Sequence, residues 1–138
     1  MSLILERIVY VSDATRPDPA LLTLADILAV SDRNNQRDGL TGGLLVTTTQ
    51  FLQVLEGARQ DLDRTLARIE KDPRHQNLRI LNRHAIETRL FGNWTMVAAR
   101  ITPTQAGVMN EIVDLSADNP NAACGRVLQL VQDQLRAA

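Results

Sequence analysis

The stretch Ser31 to Gly57, SDRNNQRDGLTGGLLVTTTQFLQVLEG, constrains this chain more than any other. It starts as the end of a helix, passes Asp38-Gly39, and becomes two apolar runs separated by Thr47 to Gln50. That order reads as helix, turn and β-hairpin. Asn34 and Asn35 continue the apolar side of the helix, and Gln53 interrupts Phe51-Leu52-Gln53-Val54-Leu55. A carboxamide removed from water costs free energy unless its N–H and C=O groups find partners. Three of them converging on one region imply either a planar polar guest or a self-contained hydrogen-bond network.

With 138 residues, the chain has room for one domain with a real core. Net charge is −1 with both signs interspersed, so no basic stripe marks a nucleic-acid partner. Cys124 stands alone, which excludes an internal disulfide, and His75 and His84 lack the paired spacing of a zinc site, so no metal is expected. The opening MSLILERIVYVS carries Glu6 and Arg7 in a short apolar run, unlike a signal peptide. No stretch is long enough to span a membrane, and the expected location is a reducing cytoplasm.

Leu5 to Ser12 reads as a central strand, with Ile8, Tyr10 and Ser12 on one face and Arg7, Val9 and Val11 on the other. Asp18 and Pro19 cap a helix that runs to about Asn35; its inward rows pass through Leu21, Leu24, Ile27 and Ser31 to the asparagines. Leu40 to Val46 and Phe51 to Glu56 make the hairpin, and Gly57 releases the chain into a helix from Gln60 to Lys71. Arg64 and Arg68 read as a solvated face of that helix. Asn77 to Arg89 and Trp94 to Arg100 complete the strands, the latter with Trp94, Met96 and Ala98 on one side. Pro103 and Asn119-Pro120 each open an amphipathic helix that must cover the bare sheet face or a partner chain.

The order β-α-β-β-α-β-β followed by two helices predicts an α+β, ferredoxin-like mixed sheet. Two helices cover one face and the two C-terminal helices cap the other. Tyr10 and Gln53 then point into one layer beneath Asn34 and Asn35. On its own, Tyr10 reads as a core tyrosine with a satisfied hydroxyl.

Tyr10 in RIVYVS, the runs SDRNNQRDGLTG and FLQVLEG, the run DPRH and the tetrad NWTM together resemble the BLUF family, sensors of blue light using FAD. The likeness spans Leu5 to Arg100 in unbroken order, and the remainder resembles the capping helices of short, single-domain members. It implies a photosensor domain over residues 1–100 and a helical signalling extension over 101–138. By position, Tyr10 matches the electron donor to the photoexcited flavin, and Gln53 the glutamine that bridges it to the flavin. Asn35 matches the asparagine that holds the flavin edge, and Asn34 the contact before it. Arg74, His75 and Arg68 match further flavin contacts, and Ile27 and Ser31 lie where the family places residues under the ring. Trp94 and Met96 match a pair implicated in switching. Gly43 and Val46 depart from the family's bulkier choices, and Gly43 implies looser local packing.

The resemblance thus implies a non-enzymatic blue-light receptor that binds FAD noncovalently, with FMN or riboflavin as other flavins the pattern allows. A tyrosine is an oxidisable donor, and a carboxamide has one donating and one accepting end. Reorienting or tautomerising Gln53 would strengthen a hydrogen bond to the flavin carbonyl and shift absorption to the red. Cys124, in the tail, is not needed for an adduct. Signalling would pass to a separate effector protein, such as a cyclic-dinucleotide phosphodiesterase or a transcriptional regulator, with self-association through the tail helices. Two other readings of the residues stand beside this one: a small acylphosphatase-type hydrolase, and a flavin-free dimerisation module of the same fold. The first lacks a Gly-rich phosphate loop after the first strand.

Overall fold

The structure is a computed structural model and describes residues 4–15, 32–102 and 105–137. Strand β1 is Leu5–Ala14, and residues 32–38 form the described part of helix α1. The hairpin follows as β2 (Thr41–Val46) and β3 (Gln50–Ala58), then α2 (Arg59–Glu70) and β4 (His75–Ile86). Strand β5 (Val97–Arg100), α3 (Ala106–Asp118) and α4 (Pro120–Ala137) end the chain.

The sheet runs β4-β1-β3-β2-β5, antiparallel throughout except that β5 lies parallel to β2. This is the expected α+β architecture. Alternation along each strand divides the core into two. On one face Ile8, Tyr10 and Leu55 pack against Leu62 and Leu66 of α2. On the other Val9, Leu45, Leu52 and Val54 pack against Met109 and Ile112 of α3 and Cys124, Val127 and Val131 of α4.

Local chemistry explains most boundaries. Helix α1 ends at Gly39, whose φ of +69° is the left-handed conformation that glycine adopts without a Cβ penalty. Asn119 caps α4 by accepting a bond from Ala122 N at 3.2 Å, and Pro120 occupies the first helical position. Strand β3 runs past Gly57 to Ala58 instead of ending there. The last strand starts at Val97, three residues later than the pattern predicted. The looser packing expected at Gly43 is absent: a Cβ there would lie 2.8 Å from the Phe91 ring, so the fully buried ring occupies that space.

Candidate functional site

Tyr10 and Gln53 are partners in the β1–β3 register. Both are buried, and the Tyr10 hydroxyl donates to Gln53 Oε1. Gln53 Nε2 donates in turn to Met96 Sδ at 3.6 Å, a weak acceptor. Burial pushes the Tyr10 phenol well above its ordinary pKa, and the Asp72 carboxylate adds to the push. The phenol therefore remains a donor throughout the neutral range.

A cavity of about 220 Å³ opens beside this pair. Leu44, Phe51, Leu55 and Ile69 give it apolar walls, and Tyr10, Gln53, Asn34 and Asn35 give it polar ones. Helix α1 brings the two asparagines in. Asn35 is 2% exposed and donates from Nδ2 to the Thr95 carbonyl at 2.5 Å.

Arg68, Arg74 and His75 also line the cavity. His75 Nε2 lies 2.6 Å from the Ile69 carbonyl, which only accepts, so Nε2 carries a proton. In the neutral ring Nδ1 then accepts from Ser12 Oγ at 2.8 Å. The ring also stands edge-to-face with Phe51, centroids 6.3 Å apart. Arg68 donates to Asp38 at 2.9 Å and to Thr65 at 3.2 Å. The Arg37 hydrogen bond, aided by Arg68, holds the Asp38 carboxyl down at about 2. Arg74 grips Asp72 through Nε at 2.9 and 3.1 Å and through Nη2 at 2.5 Å, which holds the Asp72 carboxyl below its usual range.

Tyr10, Gln53, Asn34, Asn35, Arg68, Arg74 and His75 thus meet at one cavity. Ile27 and Ser31 lie outside the described residues. Trp94 and Met96 do not share a side as expected. Met96 packs toward Tyr10 and Gln53, whereas Trp94 packs into the opposite core, because the chain bends at Thr95. Asp72 and Thr65 were not anticipated as lining residues. The Asp72-Pro73 helix stop was the one visible signal for the first, and a threonine one residue before the Leu66 core position for the second. Cys124 is buried on the other face, its thiol pushed up to about 11 by burial.

The cavity's chemistry suits a planar heteroaromatic ring. Apolar walls accommodate its faces, and carboxamides with both donors and acceptors meet a carbonyl and N–H edge. Among the described residues no cluster of His, Cys, Asp and Glu is arranged for a metal, and no helix is long and apolar enough to cross a membrane.

Fold and site together define an α+β domain with a cavity between sheet and helices, walled by apolar side chains and edged by carboxamides. The chain belongs to the BLUF family, sensors of blue-light using FAD, which it matches over residues 5–97. It is 36% identical over 98 residues to photoactivated adenylate cyclase subunit alpha of Euglena gracilis, covering 70% of this chain and 10% of that protein. The chain thus spans about a tenth of the curated relatives it matches. Among solved structures, the BLUF protein BlrB in its dark state superposes with TM-score 0.76 at 25% identity, covering 96% of this chain and 99% of that one. A bacterial light-regulated adenylyl cyclase superposes with TM-score 0.67 at 32% identity, covering 91% and 36%. Klebsiella pneumoniae BlrP1 with FMN and cyclic diGMP gives TM-score 0.65 at 31%, covering 70% and 26%. Members of this family are flavin-binding light sensors whose relatives include light-regulated signalling proteins.

Proposed function

We propose that this protein is a blue-light photoreceptor that holds FAD noncovalently in the cavity between α1 and the Tyr10–Gln53 face of the sheet. The observation that carries the reading is the buried Tyr10-to-Gln53 hydrogen bond at the cavity wall. Asn35 and Asn34 would hold the polar edge of the ring, Arg74 and His75 the opposite edge, and Arg68 the rim. Ile27 and Ser31 are assigned to the ring face on the family likeness. The flavin, when bound, supplies absorption in the blue and an excited state that accepts an electron.

The chain's own residues supply the rest. Tyr10 is an oxidisable phenol whose proton already points at Gln53 Oε1, so an acceptor is in place when the electron leaves. Gln53's N–H end rests on sulfur, so its amide reorients at small cost. Reorientation would exchange which end of the amide faces the cavity, and tautomerisation would exchange which end donates; either would turn a donor toward a carbonyl held there and move absorption to the red. Met96 and Trp94, on either side of Thr95, sit where that change would enter β5. Residues 1–100 sense light, and 101–138 pass the signal by contact to a separate effector protein in the cytoplasm, with self-association through α3 and α4. The chain itself performs no turnover in this reading.

The test is the absorption spectrum of the purified protein before and after blue light. Flavin bands should shift slightly red and return in darkness. Tyr10→Phe and Gln53→Ala should each retain flavin and lose the shift, and a normal photocycle in either sinks the mechanism. Reconstitution with FAD, FMN or riboflavin tells which flavin the site takes.

A further inference from the structure

Residues two apart in an extended strand face the same side. Trp94 and Met96 break that rule: one packs with the tail-side core and the other with the cavity-side core. Thr95 between them is bent, and two ties to α1 hold it there. Its hydroxyl donates to Asp32 Oδ1, and its carbonyl accepts from Asn35 Nδ2 at 2.5 Å. Asp32 and Asn35 are three apart on one helix and so present to the same side. The preceding carbonyl, of Trp94, accepts from Gly42 N on β2 at 3.1 Å, which fixes where the bend begins. Asp32 is also steadied by Gln36, whose Nε2 donates to Oδ2 at 3.1 Å.

We propose that Asp32 and Thr95 are positioning residues whose hydroxyl–carboxylate tie holds the bend and thereby places Met96, not Trp94, beside Gln53. The Asn35 tie alone leaves the carbonyl engaged and the side chain free to turn. A hydroxyl bonded to a carboxylate is charge-assisted and among the stronger hydrogen bonds available. Its loss releases the segment that joins the cavity to β5. The inference rests on the photoreceptor reading only for what the placement does to the light response; the packing of Trp94 and Met96 into opposite cores stands without it.

The chain has one tryptophan, so labelling with 5-fluorotryptophan yields a single ¹⁹F resonance that reports Trp94 alone. In the full-length protein kept in darkness, Thr95→Val and Asp32→Ala should each move or split that resonance. The ratio of the two placements should change roughly tenfold, as expected for one lost charge-assisted hydrogen bond. Thr95→Ser, which keeps the hydroxyl, should restore the original signal. If Thr95→Val fails to fold by circular dichroism, Asp32→Asn keeps the shape and an acceptor but loses the charge, and should shift the resonance in the same direction by less. An unmoved resonance in folded Asp32→Ala overturns the proposal, even with a normal photocycle. A moved resonance in a protein with no light response upholds the placement and removes only the photoreceptor reading.

Discussion

The two faces of the sheet are made by the same strands and packed to opposite rules. On the tail side Leu45, Leu52 and Val54 meet Ile112, Val127 and Val131, all fully buried. On the cavity side the alternate positions of the same strands, Tyr10 and Gln53, meet α1 and α2 across an open space. Close aliphatic packing resists every change of volume. A cavity with a phenol, a carboxamide and a thioether on its wall leaves those groups able to exchange partners. The closed face supplies stability, and the open face holds polar groups ready for a guest.

One polar device interrupts the closed face. Glu56 is fully buried and accepts from Arg7 Nε at 2.8 Å, from Thr41 Oγ1 at 3.0 Å and from the backbone N–H groups of Leu90 and Phe91 at 2.8 Å each. Arg7 also reaches Asn121 of α4 at 3.4 Å and His84 Nε2 at 3.3 Å. The guanidinium only donates, so His84 Nε2 accepts and its Nδ1–H donates to Asn82 Oδ1 at 2.6 Å. This network fastens the 88–91 turn and the start of α4 to the end of the sheet.

Breaking that network should give the largest effect. Glu56→Gln leaves Arg7 charged and buried without its partner, with an expected loss of roughly 3–5 kcal/mol in urea denaturation. A loss below about 1 kcal/mol would mean the closed face does not depend on the pair. Truncation comes next. Ile112→Ala on the closed face should cost about 2–5 kcal/mol, and Leu44→Ala beside the cavity should fall at the low end of that range, because free space already adjoins it. Equal costs would erase the contrast between the faces. Gly43→Ala drives a methyl against the Phe91 ring and should cost roughly 1–3 kcal/mol by overpacking, read from the same denaturation curves.

The smallest effect is a titration. Desolvation first, then the Arg7 charge, holds the His84 pKa below its ordinary value in the folded protein. The unfolded chain takes up that proton first as pH falls below about 6.5. The stability contributed by the neutral ring is therefore complete above that pH and lost as pH falls through the folded pKa. Denaturation midpoints at pH 7 and pH 5 should differ more in the wild type than in His84→Gln. An identical pH dependence would sever His84 from the network.

Much of the cavity is legible in the sequence. Tyr10 and Gln53 stood out because each carries a polar group at an apolar strand position, and Asn35 because it extends an apolar helical row. Arg7 and Glu56 carried the same kind of signal, each a charge on the Val9 or Val54 face, but nothing local says that they pair. The register Arg7↔Glu56 makes them one device. The shared side predicted for Trp94, Met96 and Ala98 holds for Met96 and Ala98 and fails for Trp94: alternation assumes a continuous strand, and the chain bends at Thr95, whose hydroxyl bonds Asp32, 63 residues earlier.

What the sequence determined by itself was therefore everything that depends on neighbours a few residues away. That covers the strand and helix order, the two-sided alternation, the glycine and proline stops, and the residue types that bear the family likeness. Tertiary structure decided which groups touch: that Met96 and not Trp94 stands by Gln53, that Phe91 fills the space over Gly43, and that Asp72 lines the cavity. Periodicity is a property of the local backbone. Contact is set by register and by bends imposed from residues far along the chain.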